Sequence, residues 1–315
     1  MTNRPIVLIL GPTAGGKTEL SLALAERLPD GGGEVIGADS MQIYRGMDIG
    51  TAKPTQAERA RAPHHLIDIV EPNEPFTVDD WLRRAERTID EIRARGRWPI
   101  VVGGTNLYIK ALLEGLFEGP GPDPELRERL AAQPLAALHE QLVEVDPKAA
   151  ERIHPNDRKR LIRALEVYEQ TGQPISELQR QWSAAGDPRP DSVVVGLDWE
   201  TEAINRRINA RVRAMVEEGL FDEVERLAAA NRLGTQAREA LGYKQVLDHL
   251  AGRCSRDEAV ERIKIETRRF ARKQRTWLKR FRSHPRAIWF PASSMDEQTI
   301  ANKSLAFCVK QAAGE

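Results

Sequence analysis

Hydrophobic and polar positions along the chain follow two different periods. Ile6-Val7-Leu8-Ile9-Leu10 is an unbroken apolar run of strand length, as a strand buried on both faces should be. After a run of small residues, Leu20, Ala23, Leu24 and Leu28 fall on one face of a predicted helix. Residues 30–33 make a turn, and 34–38 read as a second strand that ends at Asp39. Thr77 as N-cap, with Asp79 and Asp80 in the first turn, starts a helix that runs to about Arg95 and stops at Gly96. A third apolar strand, 98–102, leads into Gly103-Gly104-Thr105. The pattern changes at Gly119, where Gly and Pro alternate up to Asp123, an N-cap, and Pro124, a first helical residue. From there to about Gly186 only the helical period is found, with helices expected at 124–132, 135–145, 156–170 and 175–183, and Gly172 closing the third. Residues 187–190 return the chain to a strand at 192–197, and the remainder reads as helical. It includes a helix at 203–217, a loop-to-helix stretch at 238–244, and a long helix from the capping box Ser255-Arg256-Asp257-Glu258 toward Arg282.

Strands and helices in alternation, interrupted by an all-helical block between Pro/Gly breaks, predict an α/β fold. Its core is a parallel sheet flanked by helices, built from residues 1–118 and 190–315, and residues 119–189 form an inserted helical domain. At 315 residues and 41% apolar content the chain is long enough for a real core. Its formal net charge of zero removes any global electrostatic argument for nucleic acid, so such an argument must be local. Cys254 and Cys308 lie far apart and outside any metal-ligand spacing, which suits a reducing, cytoplasmic location. The N-terminal apolar run is too short for a signal segment, and no run approaches membrane-spanning length, so no membrane partner is expected. Nothing demands an oligomer, and a monomer is expected.

The chemistry gathers where predicted strands end. Gly11-Pro12-Thr13-Ala14-Gly15-Gly16-Lys17-Thr18, between a strand and a helix, is a phosphate-binding loop in its required context. Its backbone N–H groups and the positive end of the helix dipole favour phosphate oxygens. Lys17 adds a point charge, and the Thr18 hydroxyl is a candidate Mg²⁺ ligand. Asp39 ends the second strand near that loop, as a carboxylate for base chemistry or as a helix cap. Thr105 ends the third strand, as a ligand contact or an N-cap. Asp68 is a further candidate for Mg²⁺, whereas the adjacent His64 and His65 point apart and are not read as a metal pair. Arg207 and Arg211, four residues apart, share a helix face that could reach phosphates or be a solvated face. Between Arg268 and Arg286 there are nine Lys or Arg and no Asp or Glu, with Phe270, Trp277 and Phe281 interleaved. That local imbalance points to nucleic-acid phosphates. Arg158, Lys159, Arg160 and Arg163 form a second, weaker patch.

The phosphate loop at 11–18 stands with Asp39-Ser40-Met41-Gln42-Ile43-Tyr44, Gly46-Met47-Asp48-Ile49-Gly50-Thr51-Ala52-Lys53-Pro54, Gly103-Gly104-Thr105 and Arg163-Ala164-Leu165-Glu166-Val167. In this set the chain resembles the tRNA dimethylallyltransferases over most of its length. The resemblance implies transfer of the dimethylallyl group of dimethylallyl pyrophosphate to N6 of the adenosine immediately 3′ of the tRNA anticodon. It also implies a P-loop core with an inserted helical domain, tRNA as partner and Mg²⁺ as cofactor. In that light Asp39 looks like the base that takes the N6 proton, and Thr105 would hold the amine. Gly11, Pro12, Thr13, Ala14, Gly15, Gly16, Lys17 and Thr18 would cradle the pyrophosphate, with Arg211 reaching it and Mg²⁺ on Thr18. The anticodon stem-loop would contact Asp39, Ser40, Met41, Gln42, Thr105 and Asp123. Further contacts would fall on Lys159, Arg160, Leu161, Ile162 and Arg163, on Arg238, Gly242 and Tyr243, and on Lys273, Gln274, Arg275, Lys279 and Arg280. Gly15 stands where serine is commoner in the family, and Asn106 takes no implied role. A P-loop kinase of small molecules and a non-catalytic RNA-binding ATPase are the other readings that the phosphate loop allows.

Overall fold

Strand β1 (Ile6–Leu10) is buried at every residue. Ile6, Leu8 and Leu10 pack into one apolar cluster and Val7 and Ile9 into another, as the two-residue period of a strand requires. A strand apolar on both faces is stable only inside a sheet covered on both sides. The computed structural model, which describes residues 4–116, 119–179 and 189–314, builds that sheet from β1, β2 (Gly33–Gly37), β3 (His64–His65), β4 (Trp98–Val102), β5 (Ser192–Asp198) and β6 (Ala287–Pro291). The order is β3-β2-β4-β1-β5-β6, and every pairing is parallel. Val7 pairs with Ile100 on one side and with Val193 on the other. Being parallel, all strands end at one edge, so the segments after β1, β2, β4 and β5 open toward one crevice.

Two compact units divide the chain: Met1–Leu113 with Arg189–Glu315, and Glu114–Pro188. In the first unit, α1 (Lys17–Arg27) covers one face of the sheet through Leu20, Leu22, Leu24 and Ala25. The other face carries α3 (Val78–Ala94), whose capping box closes on Thr77 and Asp80, and α4 (Asn106–Glu114), which follow the short α2 (Gln56–Arg61). In the second unit, α5 (Pro124–Ala131), α6 (Leu135–Val145), α7 (Pro147–Arg152), α8 (Arg158–Thr171) and α9 (Ile175–Leu178) surround a core that includes Leu130, Leu138, Leu142, Leu161 and Leu165. The first unit resumes with α10 (Thr201–Glu217), α11 (Leu220–Ala229), α12 (Thr235–Arg238), α13 (Tyr243–Leu250), α14 (Arg256–Leu278) and α15 (Glu297–Ala313). Among the described residues no helix is long and apolar enough to cross a membrane.

The structure departs from the periodicity in three places. The stretch after residue 198, read as helical throughout, contains β6, a short and half-exposed edge strand that ends at Pro291. The long helix expected to reach Arg282 ends at Leu278 and tightens into a 3₁₀ turn at Lys279–Ser283. Pro285 stands just beyond, and proline disfavours helical backbone at the residue before it. The fourth helix expected in the insert, here α9, ends at Leu178, and the rest of the expected 175–183 segment, from 180 on, lies outside the described residues.

Candidate active site

The loop after β1 is held open from behind. Ala14 and Gly16 both take left-handed backbone, at φ 59° and 84°, which curls the chain around a small hollow. The indole N–H of Trp199 donates to the Gly15 carbonyl at 3.1 Å, and Arg207 Nε donates to the Ala14 carbonyl at 2.8 Å. Arg207 also lies over the Trp199 ring, 4.8 Å from its centroid. Because peptide units are planar, a carbonyl fixed outward turns the following N–H inward. Among the described residues no protein acceptor takes the amides of Gly16, Lys17 or Thr18. They stand at the start of α1, where the helix dipole adds partial positive charge.

Two cations face that hollow. Lys17 Nζ folds back onto the Gly11 and Pro12 carbonyls at 3.0 and 2.8 Å. Burial, helped by the neighbouring Arg211, pushes its ammonium down to about 8, against the pull of Asp39. Arg211, on α10, forms no hydrogen bond or ion pair with any other described residue. Burial depresses its guanidinium, and Asp39 opposes that shift. A buried cation normally has a partner, so an unpartnered one marks a place for an anion.

The carboxylate is set by the ends of β2 and β4. The Thr105 amide donates to the Ala38 carbonyl at 3.1 Å, extending the strand pairing into the turn. Gly103 is required there, because a Cβ would lie 2.1 Å from the Ala38 carbonyl oxygen. Thr105 Oγ1 accepts from the Ser40 amide at 2.9 Å, which locks the two turns together. Asp39 Oδ1 accepts from the Met41 amide at 2.9 Å, whereas Oδ2 takes no hydrogen bond among the described residues. Thr13–Thr18, Asp39, Gln42, Gly104, Arg207, Arg211, Phe270 and Gln274 all line one cleft of about 1000 Å³.

Several sequence expectations change here. Asp68 lines the cleft but is gripped by Lys53 at 2.5 Å and Arg59 at 2.8 Å. Burial alone would raise its carboxyl, and the two cationic hydrogen bonds outweigh that and hold it low. With both oxygens taken, it does not stand ready as a Mg²⁺ ligand. Arg207, read as able to reach phosphates, lines the cleft but is engaged by the Ala14 carbonyl and the Trp199 ring, so it braces the loop. Leu161 and Tyr243, expected at the RNA, are fully buried: one is core of the insert, and the other hydrogen-bonds Glu223. Gln274 is 3% exposed and turned inward. Gly242 is the left-handed start of α13, with its amide bonded to Gln245. Met41 is half-buried against the core, and Gln42 donates to the carbonyls of Thr51 and Ala52.

The insert shows a mixture. Asp123 caps α5 through the Leu126 amide, and Ile162 packs on the core. Arg163 is tied to the buried Glu166 and to the Pro120 carbonyl. Lys159 and Arg160 are exposed at the start of α8, as are Arg238 at the end of α12 and Lys273, Lys279 and Arg280 on and after α14. Half-buried Arg275 donates to Thr201 Oγ1.

Three residues with positioning roles had not been singled out for them: Trp199, Gln274 and Glu223. The carboxylate of Glu223 accepts from three successive amides, those of Asp48, Ile49 and Gly50, and so holds a loop that lines the cleft. Two of the three had a signal in the sequence. Gln274 and Glu223 are polar residues on the apolar stripe of their helices, beside Ala271 and Leu278 and beside Leu220 and Leu227.

Comparison with known proteins identifies the family. The family model described as IPP transferase matches residues 42–281, and one described as isopentenyl transferase matches residues 4–66. A tRNA dimethylallyltransferase of Geobacter sulfurreducens is 49% identical over 305 residues, covering 95% of this chain and 96% of its own. One from Shouchella clausii is 47% identical over 295 residues, 92% of each chain. The crystal structure of a full-length tRNA isopentenylpyrophosphate transferase from Bacillus halodurans superposes with a TM-score of 0.72 at 41% identity, over 99% of this chain and 97% of that one. A eukaryotic dimethylallyltransferase acting on tRNA gives a TM-score of 0.81 at 27% identity, over 98% of this chain and 79% of that one. With a matching family model over most of its length and relatives of such identity along nearly all of it, the chain belongs to the IPP transferase family.

Proposed function

We propose that this protein alkylates tRNA: it transfers the dimethylallyl group of dimethylallyl pyrophosphate to N6 of the adenosine immediately 3′ of the anticodon, releasing pyrophosphate. The observation that carries this reading is Arg211, a half-buried cation with no partner among the described residues, in one cleft with Lys17, three amides and an Asp39 oxygen that likewise take no hydrogen bond there. Cations and amides suit a departing diphosphate, and the carboxylate suits an incoming amine. The bond from the allylic carbon to the diphosphate oxygen breaks, with its electron pair leaving on oxygen. The N6 lone pair forms the new C–N bond, and the N6 proton passes to Asp39 Oδ2. An exocyclic aromatic amine is a weak nucleophile, so most of the barrier reduction must come from charge stabilisation at the leaving group. An adenine stacked in an anticodon loop cannot reach that cleft, so the base is turned out into it. One chain carries all of these groups, which supports action as a monomer, and the substrate supports a cytoplasmic location.

Among the described residues the Thr18 hydroxyl at the start of α1 has no hydrogen-bond partner, and no cluster of three or more acidic, His or Cys side chains could hold a metal. That donor set fits a Mg²⁺ held mainly by diphosphate oxygens and water, with Thr18 as its protein ligand. Such an ion would neutralise charge growing on the diphosphate.

The test is incubation with labelled dimethylallyl pyrophosphate, unmodified tRNA and Mg²⁺. Label should enter RNA and should cease to do so when the metal is chelated. Unlabelled RNA, or ATP-dependent phosphorylation of a small molecule instead, would overturn the reading.

Two further results are expected. Lys17 loses its proton from about pH 8 upward in the free protein, and bound diphosphate stabilises the charged form. Hence kcat/KM for the donor should fall as pH rises through about 8, while kcat, which reports the complex, should not fall there. A donor kcat/KM flat from pH 7 to well above 9 would mean that Lys17 keeps its proton through that range and that burial does not depress it in the free protein. On the RNA side, Phe270 and Trp277 are exposed among the cations of α14 and offer stacking surfaces. Neutralising Arg275 and Lys279 should weaken binding of all competent tRNAs and flatten its log–log salt slope by roughly 1 per lost phosphate contact. An unchanged slope would mean that neither residue meets an RNA phosphate.

A further inference from the structure

Gln274 joins the two halves of the site with a single amide. Its Oε1 accepts from the Thr13 amide, in the phosphate loop, at 2.9 Å. Its Nε2 donates to the carbonyl of Gly104, next to Thr105, at 2.9 Å. The orientation of the amide follows from its partners, since a backbone N–H only donates and a carbonyl only accepts. No other side chain supplies both groups at that reach: Asn is one methylene shorter, Glu sets an acceptor against a carbonyl, and Met leaves both partners unsatisfied.

Gln274 lies on α14 between Lys273 and Arg275, and Lys273 points to solvent. One rigid helix therefore carries basic residues on its outer side and, on its inner side, holds both the donor cradle and the turn that positions Thr105. From this arrangement we infer that Gln274 is a positioning residue through which RNA docking on α14 orders the diphosphate cradle, and that donor binding favours RNA binding in return. This rests on the transferase reading above. The coupling is reciprocal by thermodynamic necessity, so either ligand reports it.

The experiment measures the affinity of an unreactive donor analogue, dimethylallyl S-thiolodiphosphate, with and without an unmodified tRNA transcript. The unmutated protein should bind the analogue about tenfold more tightly when RNA is present. In Gln274→Met and Gln274→Glu that ratio should fall toward 1, with affinity for RNA alone changed less than threefold. A residue with a purely structural role would weaken donor binding equally with and without RNA and leave the ratio intact. A retained ratio in either folded variant overturns the inference, as does a ratio of 1 in the unmutated protein. Hydrogen exchange on the unmutated protein decides independently of how the variants fold. RNA alone should slow exchange of the Thr13 amide, and no slowing overturns the inference. Failure of the broader reading looks different: the unmutated protein would then place no label in RNA, whereas failure of the clasp alone leaves labelling intact.

Discussion

Asp39→Ala is expected to lower kcat by about 10²–10⁴-fold, the usual worth of a positioned general base, while tRNA affinity stays within a few-fold of the parent. Asp39 Oδ1 accepts from the Met41 amide and thereby shapes the turn, and Oδ2 is open to the cleft. Alanine removes both oxygens, so it mixes loss of the base with loss of the turn. Asp39→Asn separates them: the amide oxygen still accepts from Met41, and an NH₂ group that cannot take a proton replaces Oδ2. The two variants should lose similar amounts of kcat. Single-turnover rates with saturating tRNA and donor make the measurement, and a rate for Asp39→Asn near that of the parent would remove Asp39 as the base.

Arg211→Met is expected to lower kcat/KM for the donor by roughly 10²–10³-fold, the scale of losing one preorganised group from a developing anion. Its effect on stability should have the opposite sign. Most buried arginines are held by acids, as Arg189 is by Glu86 and Asp191, and removing one leaves a charge unpaired. Arg211 has no such partner, so its charged burial is a cost in the free protein. Replacing it by an apolar side chain of similar length should raise the thermal midpoint while activity falls, a trade of stability for function. Thermal unfolding monitored alongside steady-state kinetics decides the matter. A lowered midpoint would mean that Arg211 supports the fold rather than awaiting an anion.

Much of this architecture is legible in the sequence where structure is local. β1, the phosphate loop and α1 follow one another without interruption, and each announces the next by its own period. The same holds for the Thr77 cap of α3 and for the Asp123-Pro124 start of α5. That Asp39 ends its strand beside the phosphate loop follows from the rule that ligands gather at the carboxyl ends of parallel strands, and Thr105 ends another strand of the same sheet. Their roles in the reaction came from family resemblance, not from spacing. What could not be read is set by contacts between residues far apart in the chain. Trp199 and Arg207 meet a loop that ends near residue 16, and nothing in their own neighbourhood says so. β6 matches β1 in length and is largely apolar, but it is half-exposed and follows a long helical stretch, and it is a strand because β5 offers it an edge. Asp68 looked like a metal ligand because the cations that claim it, Lys53 and Arg59, approach only once the loops fold.

The pairing of β1 also bears on how the protein comes to be made. Val7 must wait for Ile100 on one side and for Val193 on the other. During synthesis the phosphate-binding-loop motif leaves the ribosome early, yet its central strand has no complete set of neighbours until well over half the chain has followed. Sheets closed by such distant partners collapse slowly and leave apolar strands uncovered meanwhile. The nascent chain is therefore most prone to aggregate before β5 emerges, and chaperone capture of its N-terminal third should matter more than any later step.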